Sequence, residues 1–400
     1  MTEQTLATVP MPRTCPFSLP AEYRELRERA PVSRVMLPSG ETAWALTRHE
    51  DIRAMLTDPR FSSDRRHPRF PLLVRNRQAL NDGFRASLIG MDPPEHGRAR
   101  RAVVGEFTVR RLEALRPRIQ EIVDERLDAM LSGPRPVDLV PALALPVPSL
   151  VICELLGVPY ADHDFFQSRS SRLLRRTAPV EERRRSRDEL RSYLDELVRQ
   201  KEDHPTDDLL GRQVVRRRES GTADHDDLVS LAFLLLLAGH ETTANMISLG
   251  TLTLLEQPDA LAAIREDPAR TPGAVEELLR YFTIAETATS RLATADVEIG
   301  GVLIRAGEGV IALTHAANRD PDAFPRPDDL DVGRAARHHL SFGFGAHQCL
   351  GQNLARMELR IVFDALFRRI PHLRLAARVE DLPFKDDATV YGLYALPVTW

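Results

Sequence analysis

Apolar residues along this chain recur mainly at the spacing of an α-helix, with a few short segments that alternate as β-strands do. The longest stripe, over 108–132, is amphipathic, whereas the stretch over 227–253 is strongly apolar and predicts a helix buried in the core. The pattern therefore predicts mainly helices, with small sheets. Predicted helices cover 21–29, 49–56, 108–132, 137–157 and 227–253, and predicted strands cover 32–37, 43–46, 297–309 and 388–400.

Two stretches break this regularity. Residues 61–90 mix proline and glycine with apolar side chains, and a long irregular stretch of this kind is usually functional or disordered. We expect it to cover a substrate, with Phe84, Leu88 and Ile89 as candidate contacts. Residues 168–210 are dominated by charge, and a run of three arginines, 183–185, is predicted to join two helices.

The composition is that of a globular enzyme and excludes several other classes. Of the 400 residues, 43% are hydrophobic and 28% are charged, and the net charge of −4 does not suit a nucleic-acid-binding protein. The longest apolar run is too short to span a membrane and no leader is evident, so we expect a cytoplasmic protein without membrane attachment. Nothing reads as a linker, which predicts one domain over 1–400, and we expect a monomer. Three distant cysteines imply no disulfide framework.

One cysteine, Cys349, stands in a glycine-rich loop that leads directly into a helical pattern. The loop reads Phe342-Gly343-Phe344-Gly345-Ala346-His347-Gln348-Cys349-Leu350-Gly351, and apolar positions recur at helical spacing from Gln352 onward. Its three glycines can take backbone conformations closed to other residues and let the main chain approach a flat ligand. Cys349 thus precedes a helix N-terminus, whose dipole and free N–H groups favour a thiolate over a thiol.

A lone thiolate in this position is either a nucleophile or an axial ligand of a metal. Zinc sites and iron–sulfur clusters need several ligands close in sequence, and the chain has no CxxC pair. Haem iron needs only one protein ligand on its proximal side, because the macrocycle supplies four nitrogens. A hydrolase that uses Cys349 with His347 is an alternative, although two residues apart is a poor geometry for a nucleophile and its base. A buried structural cysteine is the other alternative.

Polar residues also interrupt the apolar helix predicted over 227–253. The segment 238–243 places an acid, two hydroxyls and a histidine where burial is costly unless the groups are used or paired. The small residues Ala238 and Gly239 would let a flat ligand lie against the helix. Thr242 can hydrogen-bond a backbone carbonyl or open the helix locally. A helix packed against polar neighbours is the alternative.

Four segments together resemble the motifs of one family, the cytochrome P450 monooxygenases. The Cys349 loop is similar to the haem-ligand loop of that family, and residues 92–100 resemble its Asp-Pro-Pro-x-His-x-x-x-Arg motif. Residues 238–242 resemble its oxygen-binding helix, and 277–280 its Glu-x-x-Arg motif. The resemblance implies a fold that is mainly α with small β-sheets, an α-rich triangular prism that holds haem b between the oxygen-binding helix and the helix after the cysteine loop.

The resemblance also implies roles for individual residues. Cys349 would be the iron ligand, Glu241 the acid that relays protons, and Thr242 the hydroxyl beside dioxygen. The residues implied to bind haem are His96, Arg100, Ala238, Gly239, Arg291, Phe342, Gly343, His347, Cys349 and Gly351, and those implied to face substrate are Phe84, Leu88, Ile89, Thr287, Thr289 and Val390.

A structural ion-pair group is implied around the Glu-x-x-Arg motif. Glu277 and Arg280 are three apart on one face of a predicted helix, a spacing that supports an ion pair. The third member in the family is usually an arginine from a later proline-rich loop. This chain has Asp329 at the position where many relatives have that arginine, so Arg334 is the candidate.

The implied reaction inserts one oxygen atom of O2 into a bulky hydrophobic secondary metabolite, steroid or xenobiotic, hydroxylating or epoxidising it. Two electrons would come from NAD(P)H through ferredoxin reductase and ferredoxin. A peroxide-driven haem-thiolate enzyme is an alternative, but it needs no proton relay, and the Glu241-Thr242 pair counts against it. A haem gas sensor would need neither the thiolate nor the helical lid that the resemblance implies over 168–210. Candidate residues for docking ferredoxin are Arg101, Arg110, Arg356 and Arg360.

Overall fold

The computed structural model of the protein describes residues 6–73, 87–286 and 289–400. Phe84 and Thr287, two of the candidate substrate contacts, lie outside the described residues. The chain divides into two units: unit 1 comprises residues 1–98, 279–330 and 336–349, and unit 2 comprises residues 99–278, 331–335 and 350–400. A single domain over 1–400 stays a prediction.

Helices dominate the described residues and the strands are short, as predicted. The α-helices are α1 (Ala21–Arg29), α2 (His49–Thr57), α3 (Glu95–Val104), α4 (Val109–Ser132), α5 (Pro146–Leu156), α6 (His163–Leu174), α7 (Val180–Asp203), α8 (Leu209–Glu219), α9 (His225–Glu256), α10 (Pro258–Glu266), α11 (Thr271–Phe282), α12 (Thr314–Ala317) and α13 (Gln352–Arg369). The strands are β1 (Val32–Met36), β2 (Thr42–Leu46), β3 (Phe61–Ser62), β4 (Val137–Asp138), β5 (Ser290–Ala293), β6 (Val297–Ile299), β7 (Val302–Ile304), β8 (Gly309–Ala312), β9 (Arg374–Leu375) and β10 (Pro397–Thr399).

Unit 1 is built on a five-stranded sheet in the order β1-β2-β8-β5-β3. β2 and β8 run parallel, whereas the other neighbours are antiparallel, with Val32 opposite Leu46 in the β1–β2 pair. Alternate side chains of the sheet join apolar side chains of α2, such as Ile52 and Met55, in one buried cluster. The predicted hairpin over 297–309 is confirmed as β6–β7.

Unit 2 is organised around α9, a helix of 32 residues. Asp224 caps it by accepting a hydrogen bond from the N–H of Asp227 at 3.1 Å. α9 packs against α5, α7 and α13. Gly250 allows the approach of α13, because a Cβ at that position would stand 2.5 Å from Phe363. β4, β10 and β9 form a separate three-stranded sheet in this unit.

By length and composition alone, α9 could cross a membrane. Half of its most apolar window is buried inside the protein. The buried core helix of a globular protein meets the same criteria of length and apolarity, so this helix carries no argument for a membrane protein.

Three local predictions were wrong. The arginines 183–185 do not join two helices but lie inside α7. Residues 137–157 are not one helix: Pro146 begins α5 at a position where its missing N–H is harmless, and a π-helical turn over Val140–Ala144 precedes it. The strands predicted over 388–400 reduce to β10 and isolated bridges.

Candidate functional site

The Cys349 loop in unit 1 has the backbone that its glycines predict. Gly343 and Gly345 have φ angles of +69° and +71°, which side-chain-bearing residues rarely adopt. Gly345 also passes close to the end of α2, since a Cβ there would lie 2.6 Å from the carbonyl oxygen of Leu56. The N–H of Cys349 donates to the carbonyl of Phe342 at 2.8 Å, which closes the loop. Cys349 is exposed, and α13 begins three residues later.

Gly351 differs from these two glycines. Its φ is −83°, an ordinary value, and a Cβ built on it would meet no atom of the described residues within 4 Å. Neither the conformation nor the neighbours therefore require glycine at this position. A ligand that lies against the backbone would require it.

Two of the predicted cofactor-binding histidines meet in unit 1. The ring of His96, on α3, lies 3.9 Å from the ring of His347 between centroids. Nε2 of His347 lies 3.2 Å from the hydroxyl of Ser63. Ser63 is in turn fixed by Asp92, whose carboxylate accepts from the Ser63 N–H at 2.7 Å. Arg100, on the same helix as His96, is half-buried.

Arg291 is a buried cation of this unit's candidate site. It stands on β5, is only 8% exposed, and donates to the carbonyl of Ser290 at 2.8 Å. Burial lowers the pKa of Arg291 to about 10, the positive charge of Arg65 lowers it further, and Asp92 opposes the shift. A buried cation beside a second cation is suited to an anionic ligand. Sequence reasoning missed Arg65, whose position in an irregular segment gave no signal.

In unit 2, α9 presents a short open face in an otherwise buried stretch. Ala238 is exposed and Thr242 is half-buried, while His240, Glu241 and Thr243 are buried. The hydroxyl of Thr242 donates to the carbonyl of Ala238 at 2.9 Å, and the helix continues unbroken through this segment. Of the two alternatives for Thr242, the carbonyl bond is therefore observed and local opening is not.

Gly239 faces a different neighbour from the one expected. A Cβ at Gly239 would stand 2.8 Å from Ile152 of α5. The glycine thus allows α5 to pack closely against α9, and its missing side chain points towards another helix rather than towards a flat ligand. The assignments of Gly239 and of the exposed Ala238 to cofactor binding stay predictions.

Glu241 is paired with a residue that sequence reasoning missed. Lys385, from the C-terminal segment, donates to Oε2 of Glu241 at 3.1 Å and to Oδ1 of Asn245 at 2.9 Å. The side chains of Glu241 and Lys385 are 5% and 11% exposed. The neighbouring His240 is fully buried, burial lowers its pKa, and its Nδ1 lies 2.7 Å from the Leu236 carbonyl. Glu241 is therefore paired with a cation, whereas burial disfavours a charge on His240.

The predicted group around the Glu-x-x-Arg motif makes both side-chain and backbone contacts. Arg334 contacts Glu277 at 3.2 Å, as expected, and the N–H of Asp331 donates to the same carboxylate oxygen at 2.9 Å. Arg280 donates to three backbone carbonyls, of Asn318 at 2.8 Å, Pro327 at 2.7 Å and Asp329 at 3.1 Å. Asp329 thus contributes a main-chain carbonyl to this group.

The candidate docking arginines fall into two groups. Arg356 makes a bidentate ion pair with Glu276 at 2.6 and 3.0 Å and is 16% exposed, so its guanidinium is engaged in holding α13 to α11. Arg360 is half-buried on the same helix. Arg101 and Arg110 are exposed.

The candidate substrate contacts within the described residues differ in exposure. Leu88 is buried, Ile89 is 40% exposed and Thr289 is half-buried, with its carbonyl accepting from the N–H of Ala312 at 2.9 Å. These three belong to unit 1. Val390 belongs to unit 2, where it is buried and lines the same small cavity as Glu241.

Comparison with known proteins identifies the family. A sequence model of the family described as Cytochrome P450 matches residues 176–372. Pentalenic acid synthase from Streptomyces avermitilis is 52% identical over 391 residues, which cover 98% of this chain and 96% of that protein. Vitamin D3 dihydroxylase from Streptomyces griseolus is 50% identical over 392 residues, with coverages of 98% and 96%.

A solved structure agrees in sequence and in fold. The crystal structure of cytochrome P450 MoxA from Nonomuraea recticatena is 62% identical, covers 98% of both chains, and superposes with a TM-score of 0.92. The helix-rich architecture with small sheets is thereby confirmed as that of the solved P450 structures. With identities far above 30% over nearly the full length, the chain belongs to the cytochrome P450 family of haem-dependent monooxygenases.

Proposed function

We propose that this monooxygenase binds haem b through Cys349 and hydroxylates a bulky hydrophobic small molecule, with O2 and with electrons from ferredoxin. The observation that carries the proposal is the position of Cys349: an exposed thiol at the end of a closed glycine-rich loop, three residues before α13. None of the three cysteines forms a disulfide in the described residues, which suits the reducing cytoplasm, where we place the enzyme.

The residues of unit 1 fit the proposed haem. The positive charges of Arg291 and Arg65 interact with each other. The rings of His96 and His347, in the same unit, are in contact. Cationic and imidazole donors of this kind bind carboxylates, as haem propionates are.

The chemistry is divided between cofactor and chain. When bound, a haem with a thiolate ligand supplies the activation of O2, because the thiolate pushes electron density that favours O–O cleavage. The chain has to deliver protons and exclude bulk water. We assign proton relay to Glu241, the buried acid of α9. Thr242 commits its own proton to the Ala238 carbonyl, so its oxygen is available to accept a hydrogen bond from a protonated neighbour.

The substrate is proposed to be a secondary metabolite, a steroid or a xenobiotic. Two relatives, 52% and 50% identical to this chain in sequence, carry names that refer to pentalenic acid and to vitamin D3. These names support a small organic molecule as the substrate. Leu88, Ile89, Thr289 and Val390 are the candidate contacts within the described residues, and their mostly apolar character supports a lipophilic substrate.

The experiment that tests the function combines spectroscopy and turnover. Purified protein should contain haem b by pigment extraction, and a panel of lipophilic compounds should include some that shift its Soret band. Those compounds should then be oxidised with NADPH, ferredoxin reductase and ferredoxin. Turnover with peroxide alone would instead make the enzyme a peroxygenase, and protein purified without haem would overturn the proposal.

Replacing Thr242 with alanine should uncouple oxygen consumption from product formation. Without the hydroxyl at that position, reduced oxygen is released as peroxide, and we expect the product formed per O2 consumed to fall about tenfold. The measurement is simultaneous assay of O2, peroxide and product.

Two matched variants control the Thr242 experiment. Thr242→Ser keeps the hydroxyl and should restore most of the coupling. Thr243→Ala removes the hydroxyl of the next residue, which is buried, and should leave coupling unchanged. Unaltered coupling in Thr242→Ala would remove the role assigned to this hydroxyl.

We expect ferredoxin to dock on the exposed end of α3 and the start of α4. Arg101 and Arg110 are exposed there, and the apolar side chains of Val104 and Val109 are 43% and 62% exposed between them. An exposed apolar centre with flanking cations suits a small acidic redox protein.

Reversing one charge tests this surface. Arg110→Glu should raise the KM for ferredoxin about tenfold at low salt, and the difference should shrink as salt is added, because exposed charges are screened. Arg378→Glu reverses an equally exposed charge elsewhere in unit 2 and should leave that KM unchanged. Equal effects of the two variants would mean that only net charge matters and that the docking face is misplaced.

A further inference from the structure

The lysines of this chain are unusual in number and in place. The sequence contains only two, Lys201 and Lys385, whereas arginine supplies the remaining positive side chains. Both lysines lie in buried ion pairs, Lys201 with Asp208 and Lys385 with Glu241, and the four side chains are between 5% and 11% exposed. A lysine ammonium is a compact point charge, unlike the broad fork of arginine. Both lysines therefore act as buried counter-charges for carboxylates of unit 2.

The Lys385 site adjoins a small cavity in unit 2. The cavity has a volume of about 10 Å³, roughly the space that one water molecule needs. Three parts of the chain line it: the end of α6, the middle of α9 and the C-terminal segment. The polar lining residues are Ser171, Glu241, Asn245, Lys385 and Tyr394.

The outer side of this cavity is held by polar contacts. The hydroxyl of Tyr394 donates to Asp387 at 2.6 Å, and Arg175 donates to the same hydroxyl at 3.2 Å. The side chains of Arg175 and Asp387 are 47% and 32% exposed, so this edge reaches solvent. Lys385 itself lies 5.5 Å from the ring centroid of Tyr394. A line of polar groups thus leads from solvent, past the cavity, to the carboxylate of Glu241.

We propose that Lys385 is a positioning residue for proton delivery: it holds the Glu241 carboxylate charged and turned towards this cavity, where water brings the proton. The proposal rests on the relay role of Glu241 proposed above. A relay must accept a proton as a carboxylate and then donate it as a carboxylic acid. The carboxylate state of a buried acid is costly without a partner, and Lys385 supplies that partner. Asn245 fixes the ammonium through its own oxygen.

Removing the ammonium should stall the relay in its protonated state. Lys385→Met keeps the length of the side chain and leaves Glu241 buried without a counter-charge. We expect kcat to fall about tenfold, and the solvent deuterium isotope effect on kcat to rise because proton delivery becomes slower. Lys385→Arg keeps the charge and should recover a large part of both quantities.

A matched control separates this role from general damage. Lys201→Met removes the other lysine from its ion pair with Asp208, which is equally buried. This pair lies far from Glu241 along the chain. It should lower the melting temperature as Lys385→Met does and leave the solvent isotope effect unchanged. An isotope effect that rises equally in both variants would overturn the proposal.

The resting protein gives a readout that does not depend on turnover. In Lys385→Met, the infrared spectrum should gain the C=O stretch of a protonated carboxyl group, because an unpaired buried acid takes up a proton. The band should appear in the difference spectrum against wild type, because burial raises the pKa of Glu358 and wild type has a carboxyl signal of its own. It should be absent from the same difference for the double variant Lys385→Met with Glu241→Gln. Absence of the band from Lys385→Met would mean that Lys385 does not hold the charge of Glu241.

Glu241→Gln distinguishes the relay role of Glu241 from the positioning role of Lys385. This variant should lower kcat about a hundredfold and raise the isotope effect, and adding Lys385→Met to it should change little more. An unchanged isotope effect in Glu241→Gln would refute the relay itself, and with it the positioning role. A changed isotope effect in Glu241→Gln together with wild-type behaviour of Lys385→Met would refute the positioning role alone.

Discussion

Replacing Cys349 with alanine should reduce product formation to less than about a thousandth of the wild-type rate. The loop around this residue would still fold, because its closing bond uses the backbone N–H of Cys349 and its turns depend on Gly343 and Gly345. What disappears is the thiolate, and with it the electron density that favours cleavage of the O–O bond. The variant should therefore lose oxygenase activity without losing its structure.

Spectroscopy separates loss of the ligand from loss of the haem. Cys349→His offers a nitrogen ligand, so we expect it to retain haem, but the reduced carbon monoxide adduct should lack the long-wavelength Soret band that a thiolate ligand produces. The measurement is that spectrum, taken together with circular dichroism of the same samples to verify folding.

The other cysteines provide the control. Cys153 is 2% exposed on α5, and burial raises the pKa of its thiol to about 12, so it is an unreactive part of the core. Cys153→Ala should keep the spectrum and the activity and lose only some stability, through the small cavity that it leaves. Substantial product formation by Cys349→Ala would show that the sulfur of Cys349 is not the iron ligand.

The elements that the sequence predicts well are those defined by local chemistry. The helix α1 runs over the predicted residues, and α9 extends a few residues beyond each predicted end, because an acid caps its start and apolar side chains recur through its length. The Cys349 loop is predictable for the same reason, because its positive φ angles occur at glycines, the residues that adopt them most readily. In these segments, each residue's own conformational preference agrees with the fold.

The contacts of the candidate site that the sequence misses join residues far apart in the chain. Lys385 reaches Glu241 across 144 positions, and in the sequence it is simply one charge in the polar run Lys385-Asp386-Asp387. Arg356 likewise pairs with Glu276, which precedes it by 80 positions, and its role in docking stays a prediction. Nothing in periodicity or propensity records which surface charge becomes buried by a distant segment.

Gly239 shows a different limit. Its place in the motif predicts a close approach by something, and the structure supplies Ile152 of α5. A glycine in the sequence indicates that a neighbouring group comes close to the backbone, but it does not identify that group. At Gly351, by contrast, no atom of the residues that the structure describes comes within 4 Å of the position of a Cβ.

Replacing Arg280 with alanine should cause a large loss of stability. The side chain is fully buried, and its guanidinium donates to the carbonyls of Asn318, Pro327 and Asp329. These carbonyls belong to the segment that leads from α12 towards the Cys349 loop. Removing the cation leaves buried acceptors without their charged donor, which should lower the free energy of unfolding by about 3–5 kcal/mol.

The neighbouring Arg326 supplies the matched control, because it lies in the same segment with a side chain that is 76% exposed. Arg326→Ala should change the free energy of unfolding by less than about 0.5 kcal/mol, because the loss of an exposed ion pair generally has a small effect. Arg280→Lys should be nearly as harmful as alanine, since an ammonium cannot reproduce the planar fork that serves several carbonyls at once. Urea unfolding of the three variants measures these differences, and an Arg280→Ala protein as stable as Arg326→Ala would show that the proline-rich segment is held by its other contacts. The order expected is therefore set by burial and by donor geometry, and not by the formal charge, which Arg280→Lys leaves unchanged.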